Sequence, residues 1–310
     1  MIWNFKEIKT QTDSPNLVSL NEGNTEEIKF NDGHTELILK REDKNPTGSW
    51  KDRGTAFKVT ELVQKNIKEA VISSSGNAAI SFLTYLNTIA DFKLHVVVSP
   101  NVSSYKLNKI KDLITGTNHQ LYISNNSRKE SVEIAAKYNC INLRASIDES
   151  IVKGYWSIGI ELKKFILPDR SIALFSPVSS GTALVGLVQG LQQRLQNDWQ
   201  LPAIYAVQTQ STCPIVSQFD NTKEIEEKSS ADGIIDKTAL RSPQIINIIK
   251  ETNGGAYAIT NQELKEADEF IKAKLDIELS TTSLLSVAGY LRSKAQNVKL
   301  DRAILIASGT

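Results

Sequence analysis

The decapeptide NPTGSWKDRG, Asn45 to Gly54, sets one lysine, Lys51, inside a run of turn-forming residues. An apolar run ending in Leu37-Ile38-Leu39 precedes it, and a helical pattern with Ala56, Val59 and Val63 on one face follows. This order predicts a strand, a turn and a helix, with Lys51 at the junction. Lysine is the side chain that forms Schiff bases, and burial lowers its pKa into a usable range. An isolated lysine reads as a solvated surface group. A lysine fixed at such a junction can instead be held against a cofactor.

The decapeptide resembles the lysine motif of the pyridoxal-phosphate enzymes of the tryptophan synthase β-subunit type, the fold type II superfamily. It is most similar to the threonine synthase branch, because Asp52-Arg53-Gly54 follows the lysine where dehydratases tend to carry a β-branched residue. The resemblance implies that Lys51 carries pyridoxal 5'-phosphate as a Schiff base and shuttles protons. It also implies two open, mostly parallel α/β lobes with the cofactor between them. The smaller lobe would hold residues 51–142, and the larger would combine 1–50 with 143–310, the N-terminal segment packing on the larger lobe.

Composition is consistent with a soluble enzyme but does not single one out. The chain has 310 residues, 40% hydrophobic and 23% charged, with a formal net charge of +1. That balance supports neither nucleic-acid nor anionic-membrane binding. Cys140 and Cys213 lie far apart without metal-ligand spacing, as expected for free thiols in a reducing compartment. The opening MIWNFKEIKT has no apolar leader, and no apolar run is long enough to span a bilayer, so a cytoplasmic location is expected.

Short apolar strands alternate with amphipathic stretches. Val71-Ile72, Leu94 to Val98, Leu121 to Ile123, Ile141 to Leu143, Ile172 to Phe175, Ala203 to Val207, Ala256 to Ile259 and Ala303 to Ile306 read as strands. Helical faces carry Ala79, Phe82, Leu83, Leu86 and Ile89, and then Leu184, Leu187, Val188, Leu191 and Leu195. This alternation argues independently for open, mostly parallel α/β sheets. Asn221 to Asp232 is the most polar stretch and reads as an exposed loop or a mobile segment near the site mouth.

Ligands of such sheets bind on the loops that lead from strand ends into helices. Ser73 to Ala79, SSSGNAA, follows a strand and can form an anion pocket at a helix start, although an ordinary helix cap reads the same way. The resemblance implies that Ser74, Ser75, Gly76, Asn77 and Ala78 surround the substrate carboxylate, with Asn77 facing the cofactor's phenolic oxygen. Ser176 to Thr182 is neither a dinucleotide fingerprint nor a Walker A motif, but its N–H groups can converge on a phosphate. The resemblance assigns Ser179, Ser180, Gly181 and Thr182 to the cofactor phosphate, with serines where relatives have more glycine. It places Ser308, in the terminal ILIASGT, against the pyridine nitrogen, and Glu278 near the ring.

Three further segments bear on the reading. SLNEGNT, Ser19 to Thr25, is similar to the family's opening segment, and VQTQSTCPIV, Val207 to Val216, to a supporting segment in which Cys213 is a packed thiol. Relatives that use phosphohomoserine carry an arginine three residues before a glycine matching Gly154, whereas this chain has Ile151. The absence weakens the case for a phosphorylated substrate. His34, His95 and His119 are scattered, with His95 expected as a satisfied strand histidine, and no motif predicts a catalytic metal.

The expected function is a lyase or a β- or γ-replacement enzyme acting on an amino acid, most like threonine synthase, which turns O-phosphohomoserine and water into L-threonine and phosphate. Alternatives on the same fold are a threonine or serine ammonia-lyase and a cysteate, cysteine or diaminopropionate synthase-like enzyme. A non-catalytic ligand-binding homologue is the reading from another class. A homodimer is implied by the resemblance alone.

Overall fold

The computed structural model describes residues 1–74, 76–194, 200–219 and 228–309. Ser75, Leu195 and residues 221–227 of the polar stretch lie outside the described residues. Among those described, the strands are β1 (Glu27–Asp32), β2 (Thr35–Arg41), β3 (Glu69–Ser73), β4 (Lys93–Val98) and β5 (Gln120–Ile123). They continue with β6 (Ile141–Asn142), β7 (Ile172–Pro177), β8 (Ala203–Thr209), β9 (Gly255–Ile259) and β10 (Arg302–Ala307).

The chain divides into two compact units. One comprises Met1–Gly23 and Asn45–Gly154, the other Asn24–Lys44 and Tyr155–Thr310. The smaller unit has an all-parallel sheet in the order β5-β4-β3-β6. The larger unit has the order β1-β2-β10-β7-β8-β9, parallel except where β1 meets β2. Central strands such as β7 and β10 are buried along their whole length, which explains their unbroken apolar runs.

β1 is the strand that apolar runs do not reveal. Its sequence EIKFND alternates polar and apolar residues, and the Gly33-His34 connection, with Gly33 at φ +66°, folds it back onto β2. The core of the larger unit gathers Leu37, Phe175, Val207, Leu285, Tyr290 and Leu305. Phe175 stacks on Tyr205 at 4.7 Å, and Tyr205 on Tyr257 at 5.5 Å. Each buried aliphatic or aromatic side chain of this kind contributes about 1.5–3 kcal/mol.

The N-terminal segment corrects one expectation. The larger lobe is expected to take all of residues 1–50, but Met1–Gly23 and Asn45–Trp50 belong to the smaller unit. Specific contacts hold them there. Trp3 stacks on Phe57 at 5.6 Å, and its Nε1–H donates to the Val18 carbonyl. Val18 N–H donates to Thr60 Oγ1, and Tyr85 donates its hydroxyl to Glu22. The other boundary falls at Gly154, inside the helix Glu149–Leu162, twelve positions beyond the expected 142.

Candidate active site

Lys51 is the first residue of the helix Lys51–Gln64. The preceding turn is tied to that helix by Asp52, whose carboxylate accepts from Thr47 N–H at 2.7 Å and Thr47 Oγ1 at 2.6 Å. Ser81, from the helix Asn77–Leu86, donates to the same carboxylate at 2.6 Å. Gly48, at φ +85°, closes the turn by donating to the Asn45 carbonyl, and Asn45 Oδ1 accepts from Gly23 N–H. Asp52 and Arg53 are fully buried. Burial raises the Asp52 pKa, and the hydrogen bonds from Ser81 and Thr47 oppose that rise. Glu22 is also fully buried and accepts from Ser19, Leu20 N–H and Tyr85. The KDRG run therefore sits in a buried polar network that holds the lysine turn in one geometry.

Lys51 is partly covered as a residue, but its amine is well desolvated. Desolvation pulls its pKa from 10.5 down to about 8. Its Nζ lies 5.8 Å from the centroid of the Trp50 ring. Desolvation thereby raises the share of neutral amine, the form that attacks a carbonyl to make an imine.

The Ser73 to Ala79 loop follows β3 as expected. Ser74 N–H donates to the Val97 carbonyl, and Gly76 N–H lies 3.4 Å from Ser74 Oγ. Gly76 is the N-cap of the helix Asn77–Leu86, which has no side-chain cap. Among the described residues, none accepts from the N–H of Asn77 or Ala78, and the Asn77 side chain takes no partner. An uncapped helix start with spare donors has the chemistry to receive an anion. Of the expected carboxylate contacts, Ser74, Gly76, Asn77 and Ala78 share this loop, and Ser75 lies outside the described residues.

In the larger unit, β7 leads into the helix Thr182–Gln192 through Gly181 at φ +90°. A Cβ on Gly181 would come within 2.4 Å of Ile245 Cδ1, so both conformation and space call for glycine. This helix also lacks a side-chain cap. Among the described residues, none accepts from the N–H of Ser179, Ser180 or Gly181. Ser179 Oγ is engaged elsewhere, accepting from Ile235 N–H and Asp236 N–H. Ser180 Oγ lies 3.2 Å from Thr182 Oγ1. The Gln208 side chain braces the loop from beneath, donating to the Val178 carbonyl and accepting from Ile215 and Val216 N–H.

β10 pairs directly with β7, so Ser308 follows a strand end beside the Ser179 to Thr182 loop. Ser308 is 2% exposed. Gly309 N–H donates to Ser283 Oγ and its carbonyl accepts from Ser280 Oγ, so this segment is pinned rather than frayed. Glu278 is exposed, two residues before the cap Ser280 of the helix Thr281–Ala295. Ile151 is buried, at 2% exposure. His95 bonds Glu69 at 2.8 Å and Tyr122 at 3.0 Å, as a satisfied strand histidine should. Cys213 packs against Val216 and Ala258.

Each unit by itself offers features that suit pyridoxal phosphate: a desolvated amine in the smaller, and in the larger a left-handed glycine at an uncapped helix start with spare donors and a buried hydroxyl after the neighbouring strand. Sequence reasoning missed the bracing by Asp52, Glu22 and Tyr85, in which the bonds Ser81 to Asp52 and Tyr85 to Glu22 join residues distant in sequence, and the supporting role of Gln208.

Comparison with known proteins agrees. The chain is 26% identical to threonine synthase of Methanocaldococcus jannaschii, over 99% of this chain and 79% of the relative. It is 22% identical to L-threonine ammonia-lyase of Thermotoga maritima, over 88% of this chain and 67% of the relative. The structure of a pyridoxal 5'-phosphate-dependent aspartate racemase superposes with a TM-score of 0.76 at 18% identity, over 98% of this chain and 94% of that one. The model of the pyridoxal-phosphate dependent enzyme family matches residues 18–309, and the chain belongs to that family, with the α/β architecture of fold type II and pyridoxal phosphate as its cofactor.

Proposed function

We propose that this chain is a pyridoxal-phosphate lyase of the threonine synthase type, converting O-phosphohomoserine and water into L-threonine and phosphate. The observation that carries the reading is Lys51, a desolvated amine with a pKa near 8, held by Asp52 in the KDRG turn. Lys51 would hold the cofactor covalently and, once displaced, take the α-proton of the substrate on Nζ. The cofactor, when bound, supplies an electron sink for the carbanion that proton removal creates. Ser74 to Ala78 would take the substrate carboxylate, with Asn77 against the cofactor's phenolic oxygen. Ser179 to Thr182 would take the cofactor phosphate through backbone N–H groups. Ser308 would meet the pyridine nitrogen with a hydroxyl, which leaves that nitrogen largely unprotonated.

Purified protein should be yellow, and borohydride should fix the cofactor on Lys51. Phosphate and L-threonine should form together from O-phosphohomoserine. Formation of 2-oxobutanoate from threonine, with no phosphate released from phosphohomoserine, would overturn the assignment. Ile151, in place of an arginine, favours a second reading as a threonine or serine ammonia-lyase, and the Thermotoga relative bears such a name. The same assay separates the two. The family resemblance also supports a cytoplasmic homodimer, which light scattering of the loaded protein tests for its oligomeric part.

A further inference from the structure

The smaller unit holds a cavity well away from Lys51. Phe57, Glu61, Gln64 and Lys65 share one face of the helix Lys51–Gln64 and its C-cap. Gln11, from the N-terminal segment, and Lys153, from the helix Glu149–Leu162, join them around a cavity of about 280 Å³. All of these residues belong to the smaller unit. A rise of about 1.5 Å per residue puts Gln64 roughly 20 Å along the helix from Lys51. The volume lies at the small end of natural ligand sites and suits a metabolite of few atoms.

Most of the charge around the cavity is already paired. Glu61 takes Lys65 on Oε1 and Lys58 on Oε2, each at 2.7 Å, and Ser150 Oγ donates to Oε2 at 2.7 Å. Burial pushes the Glu61 pKa up, but the hydrogen bonds from Lys58, Lys65 and Ser150 outweigh it and bring it down to about 2. Lys58 also meets Asp148 at 2.7 Å. Two cations and two carboxylates therefore cancel, and Lys153 is left over. Its Nζ lies 6.0 Å from the centroid of the buried Phe57 ring and meets no carboxylate among the described residues. Two amides are also unspent. Gln64 Oε1 accepts from the Thr12 hydroxyl at 3.1 Å, while Gln64 Nε2 donates to none of the described residues. The Gln11 side chain has no partner among them.

An uncompensated ammonium, two amides with free donors and an aromatic wall can together hold a carboxylate on an apolar body. A doubly charged phosphate would call for a second free cation. We propose that this cavity binds a small monocarboxylate, with Lys153 and the Gln11 and Gln64 amides on the carboxylate and Phe57 against the apolar body. The site is separate from the loops proposed for the cofactor and does not depend on them.

Calorimetric titration of the cofactor-loaded full chain tests it. The probes are 3-methylbutanoate and benzoate, with 3-methylbutanamide and benzamide as neutral matches and 3-methylbutylamine as a cation. They are titrated into the original protein and into Lys153→Met, Lys153→Arg and Gln64→Leu. At least one carboxylate should bind at one site with a Kd on the order of 1 mM, as expected for so few atoms. Its amide and the amine should bind at least about fivefold more weakly, the scale of a half-screened charge-assisted bond. Lys153→Met should weaken the carboxylate by about fivefold to tenfold, Lys153→Arg by less than about twofold, and Gln64→Leu by about threefold.

Absence of saturable binding by both carboxylates would overturn the proposal. Equal or tighter binding of the amides or the amine would overturn the ligand class and the proposal with it. Carboxylate binding that Lys153→Met leaves unchanged would place the anion elsewhere, on the Ser74 to Ala78 loop for example, and refute it too. Lys153 is half-buried and Gln64 exposed, so both should tolerate substitution. If Lys153→Met does not fold, weaker carboxylate binding by Gln64→Leu with retention in Lys153→Arg still supports the site, and unchanged binding by Gln64→Leu refutes it.

Discussion

The lysine turn of the smaller unit and the serine-glycine loop of the larger unit are braced in opposite ways. The turn rests on buried charge: Asp52 accepts from Thr47 and Ser81, Glu22 accepts from Tyr85, and Arg53 is fully buried. The loop rests on neutral groups: the Gln208 amide, Ser179 Oγ and a glycine at φ +90°. The difference matches what each would hold under the proposed function. An amine whose protonation matters needs a fixed electrostatic setting, since nearby charges and burial set its pKa. A phosphate brings its own charge and needs only aligned donors.

The largest effect should come from the turn. Lys51→Ala is expected to abolish covalent cofactor attachment, read by absorbance and borohydride trapping, and to lower turnover by roughly a thousandfold or more. An active Lys51→Ala protein would remove the basis of the comparison. Next, Asp52→Ala should cost about 2–4 kcal/mol in urea unfolding, because it removes the acceptor of the Thr47 N–H and hydroxyl and of the buried Ser81 hydroxyl. Gly181→Ala tests the loop and should cost about 1–3 kcal/mol, through its positive φ and the close approach of Ile245 Cδ1, together with weaker cofactor uptake. Ser179→Ala should cost only about 0.5–1.5 kcal/mol, since it removes a neutral acceptor from two backbone donors. A larger loss for Ser179→Ala than for Asp52→Ala would reverse the contrast.

A pH titration sharpens the same point. The Lys51 pKa is lowered from 10.5 to about 8 by burial, so between these values the unfolded chain binds more protons than the folded one. This group therefore penalises folding below pH 8, and the penalty is relieved as pH rises toward 10.5. Cofactor-free protein should gain stability from Lys51 across that window, and Lys51→Met should flatten the gain. Fluorescence-monitored urea titrations at several pH values would show it.

The backbone setting of the candidate site loops was legible because its signals are local. The lysine turn, the two loops and Ser308 each sit within a few residues of a strand end, where apolar runs and small polar residues announce a change of backbone direction. The bracing was not legible, because hydrogen bonds such as Ser81 to Asp52 and Tyr85 to Glu22 join residues that only folding brings together. The same cause lies behind the misplaced N-terminal segment, since nothing in MIWNFKEIKT shows that Trp3 stacks on Phe57. Ile89 continues a helical pattern, but the helix ends at Leu86, where Asn87 forms its C-cap. Hydrophobic period alone does not mark that end.

The strand β1 has a consequence for colloidal behaviour. It is the outermost strand of its sheet, an edge of the kind on which another chain can add. Lys29 is exposed at its middle, Asn31 follows, and Asp32 ends it, while Glu27 is engaged by Lys40 and Lys164. Charge at this rim discourages aggregation by strand addition. It also shields β2, whose Leu37-Ile38-Leu39 core would otherwise form an adhesive edge. Replacing Lys29 with an apolar residue would leave the chemistry untouched and should still lower the concentration at which the protein stays dispersed.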